Sequence, residues 1–326
     1  MEINKPSISY PFADAINPYA AWLEGETRRW LSGNYPSLPD DIKEKYYHTA
    51  TGYITARFFP FVSQERLIPL GRSSLWGLAF DDYYEHSRPK EYQSLSKRLS
   101  MLICGEDTPN SNENEFFHQM FVIANEFRQF MPDYWMQRFA NSMRQYIHGM
   151  AEESIFKREL IFPSLDEYVN IRWKSVDVLQ MVDGLEVATG EPLPDIIRHH
   201  PYMEQIVQLT CRIIAWTNDY FSVDKEEGLD VMNLILVLRH AESLSIEDAT
   251  QEAIQIHNQD VREYLELCEH LPNFGSYNST VQKFLIYNNY MIAGHARWYT
   301  ADTKRYLPGG HPIDDFKNLD HSHSGR

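Results

Sequence analysis

The stretch PYMEQIVQLTCRIIAWTNDYFSVDKE, Pro201 to Glu226, holds the pattern from which the rest of the chain can be read. Val207, Cys211 and Ile214 recur at helical spacing and define one apolar face. Continuing that face toward the C-terminus reaches Asn218, Ser222 and Glu226, spaced four and four. An amide oxygen, a hydroxyl and a carboxylate at the end of a buried stripe form an oxygen ligand set suited to one Mg²⁺. Lys225 lies beside it and can meet a phosphate oxygen as a point charge. The plainer alternative is a helix that turns polar as it leaves the core.

A second cluster, upstream, argues against the plainer alternative. Leu75-Trp76-Gly77-Leu78-Ala79-Phe80 runs directly into Asp81-Asp82-Tyr83-Tyr84-Glu85. Asp81 and Glu85 are four apart and project from one side of a helix, where like charges repel unless a hard cation coordinates them. Such an acidic pattern is expected roughly once by chance in a chain this acidic. Its approach gives it weight: Leu70, Ser74, Gly77 and Leu78 share its face, which is inward and partly small. Asp82 points about 100° away from Asp81 and suits a salt bridge better than a metal. Two oxygen-bearing walls facing one cavity suit a diphosphate that is bound and then released.

The same periodicity predicts helices over 15–32, 39–58, 64–85, 89–103, 113–130, 134–157, 165–188, 201–226, 231–242, 246–270 and 275–305. Prolines punctuate the gaps, while Pro69 falls inside the third segment and predicts a helix start or kink there. Strand alternation is scarce, and no Gly/Ser linker or repeat divides the chain. One compact all-α domain over 1–326 follows, with a core from about 17 to 306 and a polar tail over 307–326. That tail carries His311, His321 and His323 and reads as a polar end rather than a metal site.

Composition narrows the function. Apolar residues make up 43% of the 326, enough for a sizeable core, and aromatics reach 13%, a surplus available for lining an apolar pocket. Acidic residues outnumber basic ones 46 to 30, and the net charge of −16 argues against a nucleic-acid partner. Cys104, Cys211 and Cys268 lie far apart and read as reduced thiols. The opening MEINKPSISYPF shows no secretory pattern, and no apolar run is long enough for a membrane span. A soluble, cytoplasmic protein is expected.

Together these residues resemble the class I terpene synthases, particularly the microbial single-domain cyclases. Asp81-Asp82-Tyr83-Tyr84-Glu85 is similar to the family's aspartate-rich motif, with Glu85 in place of the usual final Asp. Asn218 to Glu226 matches its second metal motif without a gap. Arg172, which precedes Asn218 by 46 residues, resembles the family's diphosphate-sensing arginine. Arg305-Tyr306 resembles the pair that closes over the diphosphate, with Trp298 preceding it at the usual offset. Ser175 and Val176 stand where the family often has a small or acidic linker and a small effector residue, a departure that bears on triggering.

The resemblance implies an α-helical bundle with a central apolar cavity and three Mg²⁺ ions. It also implies a lyase that ionises a linear isoprenyl diphosphate and cyclises the allylic cation. Asp81, Glu85, Asn218, Ser222 and Glu226 would hold metal, and Arg172, Lys225, Arg305 and Tyr306 would bind diphosphate. Trp298, with Phe80, Phe58 and Phe61 behind it, would line the cavity and face the carbocation. Farnesyl diphosphate is the default substrate by family frequency, with geranylgeranyl diphosphate next; a homodimer is a family-level expectation. A chain-elongating prenyltransferase and a catalytically silent helical scaffold stay open as rivals.

Overall fold

In the computed structural model, which describes residues 8–85, 87–307 and 310, the chain is helical with no strand among the described residues. Nearly all of the expected tail, with His311, His321 and His323, lies outside them. The first part comprises α1 (Ala20–Asn34), α2 (Asp40–Thr49), α3 (Thr51–Phe58), α4 (Gln64–Tyr84) and α5 (Pro89–Cys104). Then come α6 (Glu115–Phe127), α7 (Asp133–Glu159), α8 (Leu165–Ser175), α9 (Leu179–Thr189) and the single turn α10 (Asp195–Arg198). The last part is α11 (Pro201–Glu226), α12 (Leu234–Glu242), α13 (Ile246–Glu269) and α14 (Asn278–Ala301), entered through a 3-10 turn at Gly275–Tyr277.

Local chemistry sets many of these limits. Ser164 and Glu167 form a capping box at the start of α8, and Ser245 Oγ accepts the Asp248 N–H at the start of α13. Gly105 and Gly190 end α5 and α9 in the left-handed conformation that glycine adopts without steric cost. Pro69 neither starts nor ends a helix: α4 runs through it, five residues after its beginning at Gln64.

Two predicted helices are each broken in two. The 39–58 segment divides at Ala50 (φ +58°) and the 165–188 segment at Asp177 (φ +58°). Neither residue is a glycine, so each left-handed turn is held against its own preference by what packs around it. At Ala50 the holder is Trp298, whose indole N–H reaches the carbonyls of Thr49 (3.1 Å) and Ala50 (3.3 Å). At Asp177 the break is wedged between neighbours. A side chain on Gly149 of α7 would strike the backbone of Ser175, and one on Gly77 of α4 would overlap the Asp177 carboxylate.

Helix α4 sits at the middle of the main apolar cluster, with Leu70, Trp76 and Phe80 fully buried, and touches α3, α6 and α9. A smaller cluster seats Leu234 to Leu238 of α12 against the end of α11 and against α8. This arrangement brings the C-terminal ends of α4 and α11 to one mouth, flanked by the α8–α9 break and the segment after α14. No described helix is long and apolar enough to cross a membrane.

Candidate active site

The mouth opens into a cavity of about 150 Å³ on whose wall Asp81 and Glu85 stand with Asn218 and Glu226. Arg172, Lys225, Arg305 and Tyr306 line the same cavity. Sequence residues far apart are therefore gathered in one place. Ser222 belongs to the group but is fully buried behind the wall.

On the α4 side, Asp82 is 3% exposed and accepts two hydrogen bonds from Arg305 Nη2, at 2.7 and 2.9 Å. Tyr46 adds a third at 2.6 Å. The salt bridge expected for Asp82 is thus present, and its partner is the arginine of the Arg-Tyr pair. Asp81 accepts from Tyr146 Oη at 3.0 Å. Burial raises its carboxyl to about 7; Lys157 opposes the rise, and Glu85, Asp82 and Glu153 add to it. Glu85 receives Lys157 Nζ on one oxygen at 2.6 Å.

On the α11 side, the ligand candidates are fixed from behind. Asp219, buried completely, accepts from Tyr168 Oη and from the Leu234 N–H, and pairs with Arg172 (Nη2 to Oδ1, 2.9 Å). Arg172 also donates to Asn218 Oδ1 at 2.8 Å, while the Asn218 amide nitrogen donates to Tyr299 (2.6 Å) and Tyr306 (3.0 Å). Asn233 caps α12 and at the same time donates to the Asp219 carbonyl (2.9 Å), Ser222 Oγ (3.3 Å) and Glu226 Oε2 (2.9 Å). Burial raises the carboxyls of Asp219 and Glu226, against the pull of Arg172 on the first and Lys225 on the second.

The donor set fits a hard divalent cation. Its candidates are carboxylate, amide and hydroxyl oxygens, and Glu85 Oε2 is buried with no hydrogen-bond partner. Arg305 Nε and Nη1 are likewise buried and unpartnered, two cationic donors suited to phosphate oxygens. Among the described residues no three His, Cys, Asp or Glu side chains converge as a ready-made metal cluster. The arrangement therefore depends on the amide and hydroxyl oxygens too, and on a shift of side chains already engaged.

The proposed aromatic lining is corrected by the structure. Trp298 is buried but bonds to the α2–α3 junction, and it is absent from the cavity wall. Phe80 is stacked on Trp76 inside the core, Phe58 packs beside Phe59 and His295, and Phe61 is 53% exposed against Tyr287 and Tyr290. Apolar side chains at the wall are few, chiefly Leu78, Val176, Leu229 and Met232, so the expected apolar hollow has mainly charged walls here. Ser175 and Val176 do line it. Sequence reasoning missed Lys157, Asn233 and Asp177. Glu153 four residues before Lys157, and Asn233 as a cap before an apolar run, were available signals; the break that exposes Asp177 was not.

A family model described as terpene synthase family 2, C-terminal metal binding, matches residues 72–263, more than half of the chain and both walls of the site. The chain belongs to the terpene synthase family. This class I terpene synthase is 25% identical to germacrene A synthase of Nostoc punctiforme, over 90% of this chain and 92% of that one. It is 26% identical to the (2E,6E)-farnesyl diphosphate cyclizing (+)-T-muurolol synthase of Roseiflexus castenholzii, over 92% and 93%. Its fold is like that of linalool/nerolidol synthase from Streptomyces clavuligerus, with a TM-score of 0.81 at 15% identity over 90% of this chain and all (100%) of that one. The chain is therefore an enzyme, a terpene synthase.

Proposed function

We propose that this terpene synthase ionises farnesyl diphosphate, with Mg²⁺, and cyclises the resulting cation to a sesquiterpene hydrocarbon or alcohol. The observation that carries the reading is the meeting of two oxygen-bearing helix ends across one cavity that also holds four cationic side chains, Lys157, Arg172, Lys225 and Arg305. The relatives named above, one of them a (2E,6E)-farnesyl diphosphate cyclizing synthase by name, support the choice of substrate.

Magnesium ions held by Asp81, Glu85, Asn218, Ser222 and Glu226 would supply the positive charge that the departing diphosphate requires. The chain's own residues do the remaining work. Arg172, Lys225 and Arg305 donate charge-assisted hydrogen bonds to the diphosphate, and Tyr306 donates a neutral one. As the allylic carbon–oxygen bond breaks, its electron pair leaves with the phosphate oxygen, where those donors stabilise it. Asp219 and Tyr168 hold Arg172 in position from behind. The cation left on carbon closes a ring by attack of a distal double bond, and ends by losing a proton or taking up water.

Separate incubation with geranyl, farnesyl and geranylgeranyl diphosphates and Mg²⁺, followed by mass analysis of volatile products, tests this. Cyclic fifteen-carbon products with diphosphate release are expected from the second substrate. Product from none of the three, or only after isopentenyl diphosphate is added, would overturn the reading and favour a scaffold or a chain-elongating enzyme.

A further inference from the structure

Lys157, in the last turn of α7, lines the cavity and is largely buried. Its ammonium has three N–H donors, and three carboxylates from three elements meet it: Glu85 at the end of α4 (2.6 Å), Glu153 on α7 (2.7 Å) and Asp230 just beyond α11 (3.2 Å). Glu85 gives it only one oxygen, the other being buried and unpartnered. Asp230 is fixed in turn, its carboxylate accepting the N–H groups of Val231 and Met232.

We propose that Lys157 is an internal counter-cation, which a divalent metal must displace from Glu85 before the α4 wall can act as a ligand. The inference rests on the metal-dependent reading above. A carboxylate pair such as Asp81 and Glu85 is repulsive by itself, and the lysine offsets part of that repulsion in the fold. A doubly charged cation competes for the same oxygens. The exchange is feasible because Lys157 need not be left bare: on releasing Glu85 it keeps Glu153 and Asp230. Since Asp230 lies four residues after Glu226, that exchange also ties the first wall to the second. Lys157 is thus a positioning residue that weakens metal binding at the α4 wall and orders its assembly.

The test reads the rise in Tm of the whole chain as Mg²⁺ is titrated in the presence of inorganic diphosphate, without substrate turnover. Lys157→Met should lower the metal-free Tm and reduce the half-saturating Mg²⁺ concentration about tenfold, while Lys157→Arg, which keeps the charge, should stay within about twofold of the parent. Should Lys157→Met fail to fold, comparing Glu153→Gln with Glu153→Gln/Lys157→Met, a double variant that keeps the parent's net charge, reads the same shift. A half-saturation unchanged or raised by losing the lysine overturns the proposal while leaving the metal reading intact. No Tm rise in the parent or in any variant overturns both.

Discussion

The two walls of the cavity are built in opposite ways. The α11 wall is held from behind mainly by short, buried groups, although the long cation Arg172 also meets Asn218 and Asp219. Asn233 ties Ser222, Glu226 and the Asp219 carbonyl together, and Asp219 receives Tyr168 and the backbone of Leu234. The α4 wall is held from the front by long, exchangeable cations, Arg305 on Asp82 and Lys157 on Glu85. Short polar side chains bonded to backbone lose little freedom and are pre-organised, whereas ion pairs made by flexible side chains can be traded for a better partner. One wall is a fixed template and the other a charge-balanced one that reorganises on loading.

That contrast can be broken most severely at the fixed wall. Asn218→Ala removes a ligand candidate together with the hydrogen bonds to Arg172, Tyr299 and Tyr306, and product formation should fall by at least about 1000-fold with the circular dichroism of the fold retained. Turnover near the parent rate, with ordinary Mg²⁺ dependence, would remove Asn218 from the site. Asn233→Ala leaves every ligand candidate in place and takes away their support together with the α12 cap; the half-saturating Mg²⁺ concentration should rise about 10- to 100-fold, read by thermal shift. If it does not move, the pre-organisation described for α11 is irrelevant to loading.

The exchangeable wall should respond to pH instead. Burial lifts the Asp81 carboxyl from 3.8 to about 7, with Lys157 opposing. In the metal-free chain the native state then keeps a proton that the unfolded chain has lost, so this group's contribution to stability declines as pH rises between those two values. A metal must displace the same proton, so the half-saturating Mg²⁺ concentration should rise about tenfold per pH unit below about 7 and flatten above it. Asp81→Asn should abolish that slope; its survival would assign the proton elsewhere. The smallest effect on chemistry is expected at Trp298, which serves the α2–α3 junction. Trp298→Leu should cost about 2 kcal/mol of stability in denaturant melts while the ratio of products stays constant within about twofold. A changed product ratio would return the indole to the cavity wall.

How far the site was legible depended on whether a residue's role is local. Asn218, Ser222 and Glu226 could be read because helical spacing alone aligns them, and Asp81 and Glu85 likewise. The salt-bridge expectation for Asp82 followed from its angular offset, but nothing in the spacing could name Arg305 as the partner, 223 residues away. Phe80, Phe58 and Phe61 went wrong for a related reason. An aromatic on an inward face meets either core or cavity, and only neighbouring helices decide which. Phe80 met Trp76 and Phe116, and Phe61 found tyrosines at the surface. The helix breaks at Ala50 and Asp177 were invisible because neither residue favours a left-handed turn; distant packing imposes it.

By itself, then, the chain's order of residues determined most of the helices, though not the breaks at Ala50 and Asp177, with their apolar faces and the identity of the oxygen-bearing ends, since period and side-chain chemistry are local properties. Tertiary structure alone decided that those ends share a cavity, that Arg305 reaches Asp82, and that Lys157 stands between Glu85 and Asp230. Electrostatic pairing acts over a few ångströms in space and is indifferent to separation along the chain.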